Sequence, residues 1–436
     1  MTFSRHNLIS RVRDGEGYFI VNFLSREADL LPADMAERFL SGRHLPEEEA
    51  ELVEKGYLVD EAEETARFRK AYLDFVDERD KSEKQLFYVA SYACNFACSY
   101  CYQEGYPDHD FAYRPEVIDA FLSYVDAEFA GVRKYVTIFG GEPLLPGEAP
   151  RKTLEHLVDG LTARKLGYAV VTNGYNLDSY VELLGRGNLR EVQVTLDGVG
   201  AAHDARRPLR GGQATFDRIV AGVDAALAVG LTVNLRMVLD KDNIDELPRL
   251  AAFSAARGWT SNKNFKTQLG RNYELHYCQA DQSRLFDRVG LYEAIYALAR
   301  ERPEILGFHR PAFSISRFLF DNGEMPTPLF DACPATKSEW AFDYTGNIYS
   351  CTATVGKPGE ELGTFHPSIT RKEELIEEWE DRDITSIPEC AACAVRLACG
   401  GGCGSVAKNA AGRIHAPDCR PIKSLLEMGV SLYGGQ

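Results

Sequence analysis

The chain has 436 residues, enough to bury two or three cores, and its 45% hydrophobic and 26% charged composition is that of a globular protein rather than a disordered or fibrous one. A formal net charge of −16 argues against a phosphate-backbone partner, so no nucleic acid is expected. No apolar run approaches the roughly 20 residues of a membrane span, and Met1 to Gly15, with Arg5, Arg11, Arg13 and Asp14, has no apolar export core, so a cytoplasmic chain without a membrane partner is expected.

Residues 1–85 contain no cysteine and have a pattern of their own. Tyr18 to Leu24 reads as a strand, and Pro32 to Leu40 as a short helix that ends near Ser41-Gly42. Pro46 starts a second helix, acidic at Glu47, Glu48, Glu49 and Glu51, which stops near Lys55-Gly56. Tyr57-Leu58-Val59 gives a returning strand. From Gln85 to about Gly270 strands and helices alternate. The strands expected are Leu86–Ser91, Tyr135–Phe139, Ala169–Thr172, Val192–Leu196, Thr232–Leu239 and Phe265–Leu269. Amphipathic stretches at Pro115–Phe129, Leu154–Leu166, Phe216–Leu227 and Leu247–Arg257 lie between them. Such alternation implies an α/β fold with a parallel sheet and helical crossovers, in which ligands bind at the C-terminal strand ends.

The residues placed at those ends carry the chemistry. Just beyond the first strand, Cys94, Cys98 and Cys101 read Cys-x3-Cys-x2-Cys. An iron–sulfur cube needs four ligands, so three thiolates on one tight loop leave one iron open to a small molecule. A zinc site would want two cysteine pairs or added histidine, and the nearest, His109, lies beyond the loop. The second strand runs into Gly140-Gly141-Glu142-Pro143, where two glycines let backbone approach a ligand and Glu142 can accept a hydrogen bond from an ammonium group. The third ends at Thr172-Asn173-Gly174, and the fourth at Thr195-Leu196-Asp197-Gly198, followed by His203 and Arg207. Read blandly, these are turns with surface charges. Asn234 and Arg236 are two apart and share a face of the fifth strand, where they either line a cavity or form a buried pair.

The remaining cysteines make a second set. Cys333 is followed by Cys351, by Cys390-x2-Cys393-x5-Cys399-x3-Cys403 and by Cys419, while Cys278 stands alone. Eleven cysteines in a cytoplasmic chain point to metal rather than disulfides. The pair Cys390-x2-Cys393 by itself would also suit a zinc ribbon.

Together these motifs resemble the radical S-adenosylmethionine (SAM) enzymes that carry a C-terminal SPASM extension, above all the maturases of ribosomally made peptides and less closely the anaerobic sulfatase maturases. The resemblance implies a partial (β/α)6 barrel over 86–315 and a SPASM domain over 316–436. It also implies that 1–85 form a small winged-helix-like peptide-recognition domain. Three [4Fe-4S] clusters are implied. Cys94, Cys98 and Cys101 would hold the SAM-binding cluster, Cys333, Cys351 and Cys403 a first auxiliary cluster, and Cys390, Cys393, Cys399 and Cys419 a second. SAM would meet Tyr100 at its adenine, Gly140, Gly141 and Glu142 at its amino group, and Thr195 at its ribose. Asn173 belongs to the same set, and Arg207 would take the carboxylate. The implied substrate is a precursor peptide that loses a hydrogen to a 5′-deoxyadenosyl radical and gains a crosslink or another modification. The implied reductant is a flavodoxin or ferredoxin.

Two features depart from the family pattern. The first auxiliary set has no fourth cysteine, which leaves an open iron, water, a non-cysteine ligand or Cys278 as alternatives. Sulfatase maturases place an Asp after the second SPASM cysteine as a general base, and here Thr352 follows Cys351. A folded-protein or small-molecule substrate, and an electron carrier that never cleaves SAM, are the rival readings. No catalytic base is assigned.

Overall fold

The computed structural model describes residues 1–103, 105–106, 111–272 and 282–434. His109 and Cys278 lie outside them.

The N-terminal part is built on three antiparallel strands, β2 (Asn7–Arg11), β3 (Tyr18–Asn22) and β4 (Glu27–Leu31), in the order β2-β3-β4. The short β1 (Thr2–Phe3) pairs with β5 (Leu58–Val59). Helices α1 (Ala33–Leu40) and α2 (Glu49–Glu54) cover one face, where Ile20, Leu31, Phe39, Leu52 and Tyr57 form a small core. The other face turns toward the C-terminal part. Phe19, Val21, Phe23 and Leu24 share a core with Phe330, Ile384, Cys390, Cys399, Ile422 and Leu426. The long helix α3 (Glu61–Lys81) adds Phe68, Tyr72 and Phe75, whose rings contact Phe330 at centroid distances of 5.1, 5.3 and 5.5 Å. Asp60 caps α3 by accepting from the Ala62 and Glu63 amides.

The six expected strands form as β6 (Lys84–Val89), β7 (Lys134–Phe139), β8 (Gly167–Thr172), β9 (Asn188–Thr195), β10 (Val233–Leu239) and β11 (Phe265–Arg271). Each pairs in parallel with the next, in the order β11-β10-β9-β8-β7-β6. Sequential neighbours joined by helical crossovers curl the sheet into a partial barrel, because right-handed connections keep every helix on one side. The crossover helices are Pro115–Glu128, Glu148–Ala163, Phe216–Ala228 and Glu246–Ala256. The second starts six residues before the expected Leu154, directly after Gly147, whose φ of 117° breaks the preceding chain.

Alternate residues of each strand face opposite ways. Leu86, Tyr88, Val136, Ile138, Val192, Val194, Leu235 and Met237 pack outward under the helices in the main core. Gln85, Phe87, Tyr135, Thr137, Glu191, Gln193, Arg236 and Gln268 face the barrel interior. An inner face this polar is built to hold a ligand. The barrel sheet also extends where the sequence reading stopped. Strand β12 (Glu339–Asp343) pairs in parallel with β6, and β13 (Asn347–Tyr349), β14 (Glu361–Thr364) and β15 (Thr370–Arg371) follow antiparallel, making ten strands. The C-terminal cysteine region is therefore grafted onto the barrel by main-chain hydrogen bonds.

Candidate functional site

Four loops at the C-terminal strand ends are laced into one floor. Cysteine-loop backbone pairs with the segment that carries Arg207: Ala97 N donates to Pro208 O at 2.9 Å, Ser99 N to Arg206 O at 3.0 Å, and Arg210 N to Asn95 O at 2.9 Å. The Arg210 side chain adds a bond to Cys94 O at 2.7 Å. Glu142 N donates to Ala93 O at 2.8 Å, and Gly141 N to the Gln103 side chain at 2.9 Å. Asn173 Nδ2 reaches Asn95 Oδ1 at 2.8 Å. The glycines have a steric reason. Gly140 and Gly141 have φ of 86° and 47°, and a Cβ on Gly141 would collide with Ala93 O.

Above this floor opens a cavity of about 730 Å³. It is lined by Cys94, Cys98 and Cys101 together with Tyr100, Gly140, Gly141, Asn173, Thr195 and Arg207. Six of the seven residues expected at SAM thus face one space with the three thiols. Glu142 is the exception, being 1% exposed and turned beneath the floor. Its carboxylate accepts from Leu144 N (2.8 Å), Thr172 Oγ1 (2.6 Å) and Asn173 N (2.6 Å). Burial pushes its carboxyl up to about 7, against three hydrogen bonds that favour the charged form. Here it clasps two loops, and the ligand-facing surface of its motif is glycine backbone.

Arg207 donates to Tyr100 OH at 2.6 Å and lies over the Tyr100 and Phe96 rings. Tyr100 OH in turn donates to Asp197 at 2.5 Å, and Asp197 accepts from Val238 N at 2.9 Å. Asp197 is fully buried beside Arg206, which forks onto Asp240 at 2.9 and 3.0 Å. The Asp197-Gly198 pair is thus more than a turn, for it orients Tyr100 and through it Arg207. Asn234 stays out of the cavity and bonds Glu191 at 2.9 Å, whereas Arg236 lines it. Tyr102 and Gln103, to which no spacing in the sequence pointed, also line it, as does Thr352, which stands where sulfatase maturases carry an Asp.

The donor set fits a four-iron cluster with one open position. The three thiols are close enough to disfavour one another's ionisation, and burial pushes Cys94 up to about 12 and Cys98 up to about 11. Phe96 N points at Cys94 Sγ from 3.4 Å, the kind of N–H···S contact that tunes cluster potential. Among the described residues no three His, Cys, Asp or Glu side chains converge tightly enough for a single metal ion. A cube spreads its thiolates over several irons and needs wider spacing than one zinc.

Cys333 and Cys351 lie near Cys403, and Cys390 lies near Cys393, Cys399 and Cys419. Burial raises Cys333 and Cys351, each of which senses Cys403. Burial also pushes Cys390 up to about 11, and its neighbours Cys399, Cys393 and Cys419 further disfavour its ionisation. Cys393 and Cys419 are exposed, whereas Cys333 and Cys351 are buried. The peg that gathers them is Arg382, fully buried, which donates to the carbonyls of Gly401, Gly402, Ile414 and Ala416 at 2.7–3.1 Å. Asp331, 3.7 Å from Arg382 and paired with Lys337, accepts from Cys333 N at 2.9 Å. Thr352, beside Cys351, bonds buried Glu339 through its amide (2.8 Å) and its hydroxyl (3.2 Å).

A parallel partial barrel with a three-cysteine loop at its strand ends defines the radical SAM class of enzymes. Residues 88–254 match the model of the Radical SAM superfamily, and the chain carries that domain, with SAM and a [4Fe-4S] cluster as its cofactors. Among curated proteins, the mycofactocin maturase MftC of Mycolicibacterium smegmatis is 27% identical over 334 residues, 73% of this chain and 77% of its own length. The GTP 3′,8-cyclase of Nautilia profundicola is 32% identical over 193 residues, 42% of this chain and 56% of that enzyme. The chain spans about half the length of most such relatives. Two solved structures share the fold. They are anSMEcpe with bound AdoMet and Cp18Cys peptide (TM-score 0.61, 18% identity, 81% of this chain and 99% of that one) and Streptococcus suis SuiB bound to the precursor peptide SuiA (TM-score 0.52, 16% identity, 97% and 99%). Among the described residues, no helix is long and apolar enough to cross a membrane.

Proposed function

We propose that this chain is a cytoplasmic radical SAM peptide maturase with three four-iron clusters, a recognition domain over 1–85 and a SPASM domain over 316–436. One observation carries the reading. A residue of the C-terminal cysteine region, Thr352, lines the same cavity as the cysteine loop, so a substrate held there would touch both regions. The likeness to MftC over 73% of the chain supports a peptide substrate.

In this reading Cys94, Cys98 and Cys101 would hold the catalytic cluster, with one position left for SAM, and the bound pair would supply radical chemistry for hydrogen abstraction from an unactivated carbon. The chain's own residues do the positioning. Gly140 and Gly141 bring backbone to the amino group, Thr195 meets the ribose, and Arg207, held by Tyr100, meets the carboxylate. Asn173 ties the third strand end to the cysteine loop. The polar barrel wall admits the peptide and keeps bulk water from the reacting carbon. Cys333, Cys351 and Cys403 hold the inner auxiliary cluster. Cys390, Cys393, Cys399 and Cys419 hold the outer one, whose exposed cysteines suit exchange with a flavodoxin or ferredoxin. Thr352, in the place of a sulfatase-maturase Asp, weighs against a folded sulfatase as substrate.

The test uses full-length, anaerobically reconstituted enzyme. About twelve irons per chain and 5′-deoxyadenosine formation are expected. A short precursor encoded beside the gene should be modified, and the same peptide without its leader should turn over far more slowly. Four irons, or equal turnover of both peptides, would overturn the SPASM or the recognition assignment respectively.

A further inference from the structure

In a chain of net charge −16, five cationic side chains face the cavity, Arg190, Arg207, Arg236, Lys266 and Arg271, against the single carboxylate of Glu191 among the described lining residues. Four of the five are engaged. Arg190 forks onto Glu83 at 2.7 and 2.5 Å, and Lys266 meets Glu191 at 3.4 Å. Arg207 donates to Tyr100 at 2.6 Å, and Arg271 to Phe286 O at 2.7 Å. Arg236 differs, because its side chain makes no hydrogen bond or ion pair with the described residues, and its Nε, like that of Arg207, is buried without an acceptor. A buried guanidinium N–H without an acceptor is costly unless a ligand or a water supplies one.

The slot around it is shaped. Arg236 on β10 is in register with Gln268 on β11, and its side chain passes over Gly270, where a Cβ would sit 3.0 Å from Nη2 and 3.1 Å from Nε. The missing side chain is what lets the guanidinium lie along the wall. On its other flank Arg236 is in register with Thr195, the residue proposed to meet the ribose. With Thr195 at the ribose, Arg236 stands one strand beyond the nucleoside. A planar fork of N–H donors matches a carboxylate bidentately.

We infer that Arg236 anchors a carboxylate of the peptide substrate, either an acidic side chain next to the modified residue or the C-terminal carboxylate. The inference rests on the peptide-maturase reading. It makes Arg236 a specificity residue, and it predicts that the segment entering the barrel carries a negative charge.

The experiment titrates SAM-loaded holoenzyme with three blocked pentapeptides. One has a central aspartate and an amidated end, the second is its asparagine isostere, and the third has neutral residues and a free C-terminal carboxylate. At least one acid should bind on the order of tenfold more tightly than the asparagine peptide, and the tighter acid identifies the source of the carboxylate. Arg236→Met should erase that preference, and Arg236→Lys should keep part of it. Iron content reports folding, and Arg236→Gln repeats the test should the Met variant lose its clusters. Equal binding of all three peptides, or a preference that survives in Arg236→Met, overturns the proposal. So does a variant that loses affinity for SAM instead, which would assign Arg236 to the SAM carboxylate. SAM cleavage without peptide is scored separately, so failure of the enzyme reading and failure of the carboxylate anchor stay distinguishable.

Discussion

The chain gathers cysteines in two different ways. The catalytic loop packs Cys94, Cys98 and Cys101 into a few consecutive residues, and its shape is secured locally by backbone bonds to Pro208, Arg206 and Gly141–Glu142. The C-terminal set runs from Cys333 to Cys419, and only Cys390 to Cys403 lie within one short stretch. Its members meet because a buried arginine ties four carbonyls together and a buried aspartate fixes the start of the run. The first arrangement tolerates changes elsewhere in the fold. The second depends on the whole C-terminal core, including the N-terminal sheet packed against it.

The largest expected effect tests whether the two regions are independent. Replacing Cys94, Cys98 and Cys101 by Ala should drop 5′-deoxyadenosine formation to background, yet leave about eight of about twelve irons. Cleavage at the wild-type rate would remove the loop from catalysis, and loss of all iron would show that the regions fold together. The reciprocal change is Arg382→Met. Four carbonyls and Asp331 lose a buried charged partner, so stability should fall by about 3–5 kcal/mol. The C-terminal iron should go first in a chelator challenge, with about four irons retained. Uniform loss from both regions would contradict the division. Next comes Gly141→Ala, which forces a Cβ against Ala93 O at a φ of 47°. Strain of about 1–3 kcal/mol should weaken SAM binding about five- to a hundredfold with iron content unchanged.

The same contrast explains what could be read from the amino-acid order. The barrel strands alternate apolar and polar residues, and glycine or asparagine ends them, so they were legible within a few residues. The cysteine loop was legible because its chemistry lies in its spacing. Strand β4, Glu27-Ala28-Asp29-Leu30-Leu31, was not, because it is an edge strand with little periodicity. Helix α3 hides its packing stripe of Phe68, Ala71, Tyr72 and Phe75 among charges, although the i, i+3, i+4, i+7 spacing was there to be found. Glu142 was expected to face SAM and instead braces the loops, since a carboxylate among three close donors satisfies them before any ligand arrives. Thr352 and Arg382 act across long separations, and no local pattern records that.

Protonation sharpens the comparison for the catalytic loop. Burial holds the Cys94 and Cys98 thiols at about 12 and about 11, so both are protonated in the metal-free chain near neutrality. As ligands they are thiolates, and binding therefore releases their protons. Cluster retention should strengthen as pH rises toward 11, by about tenfold per pH unit for each thiol that ionises. The check is chelator-driven iron loss between pH 6.5 and 8.5, and a flat profile would mean that the loop's thiols are ionised before iron arrives.

The smallest effect probes the seam between the N-terminal helix and the distributed cysteines. Tyr72 OH on α3 donates to Asp383 Oδ2 at 2.9 Å, one residue from the Arg382 peg. The other oxygen of Asp383 already accepts from the Thr385 amide and hydroxyl and from Ser386 N, so Tyr72 is the partner of the remaining one. Tyr72→Phe leaves the ring contact with Phe330 in place and removes only that hydrogen bond, a loss of about 1–2 kcal/mol for a bond to a charged acceptor. The catalytic loop has no share in this contact. Iron should therefore leave the C-terminal set severalfold faster in chelator, while SAM cleavage in the absence of peptide keeps its wild-type rate. Faster loss from the catalytic loop as well would mean that the seam reaches the barrel, and the contrast between a locally secured site and a fold-gathered one would then fail.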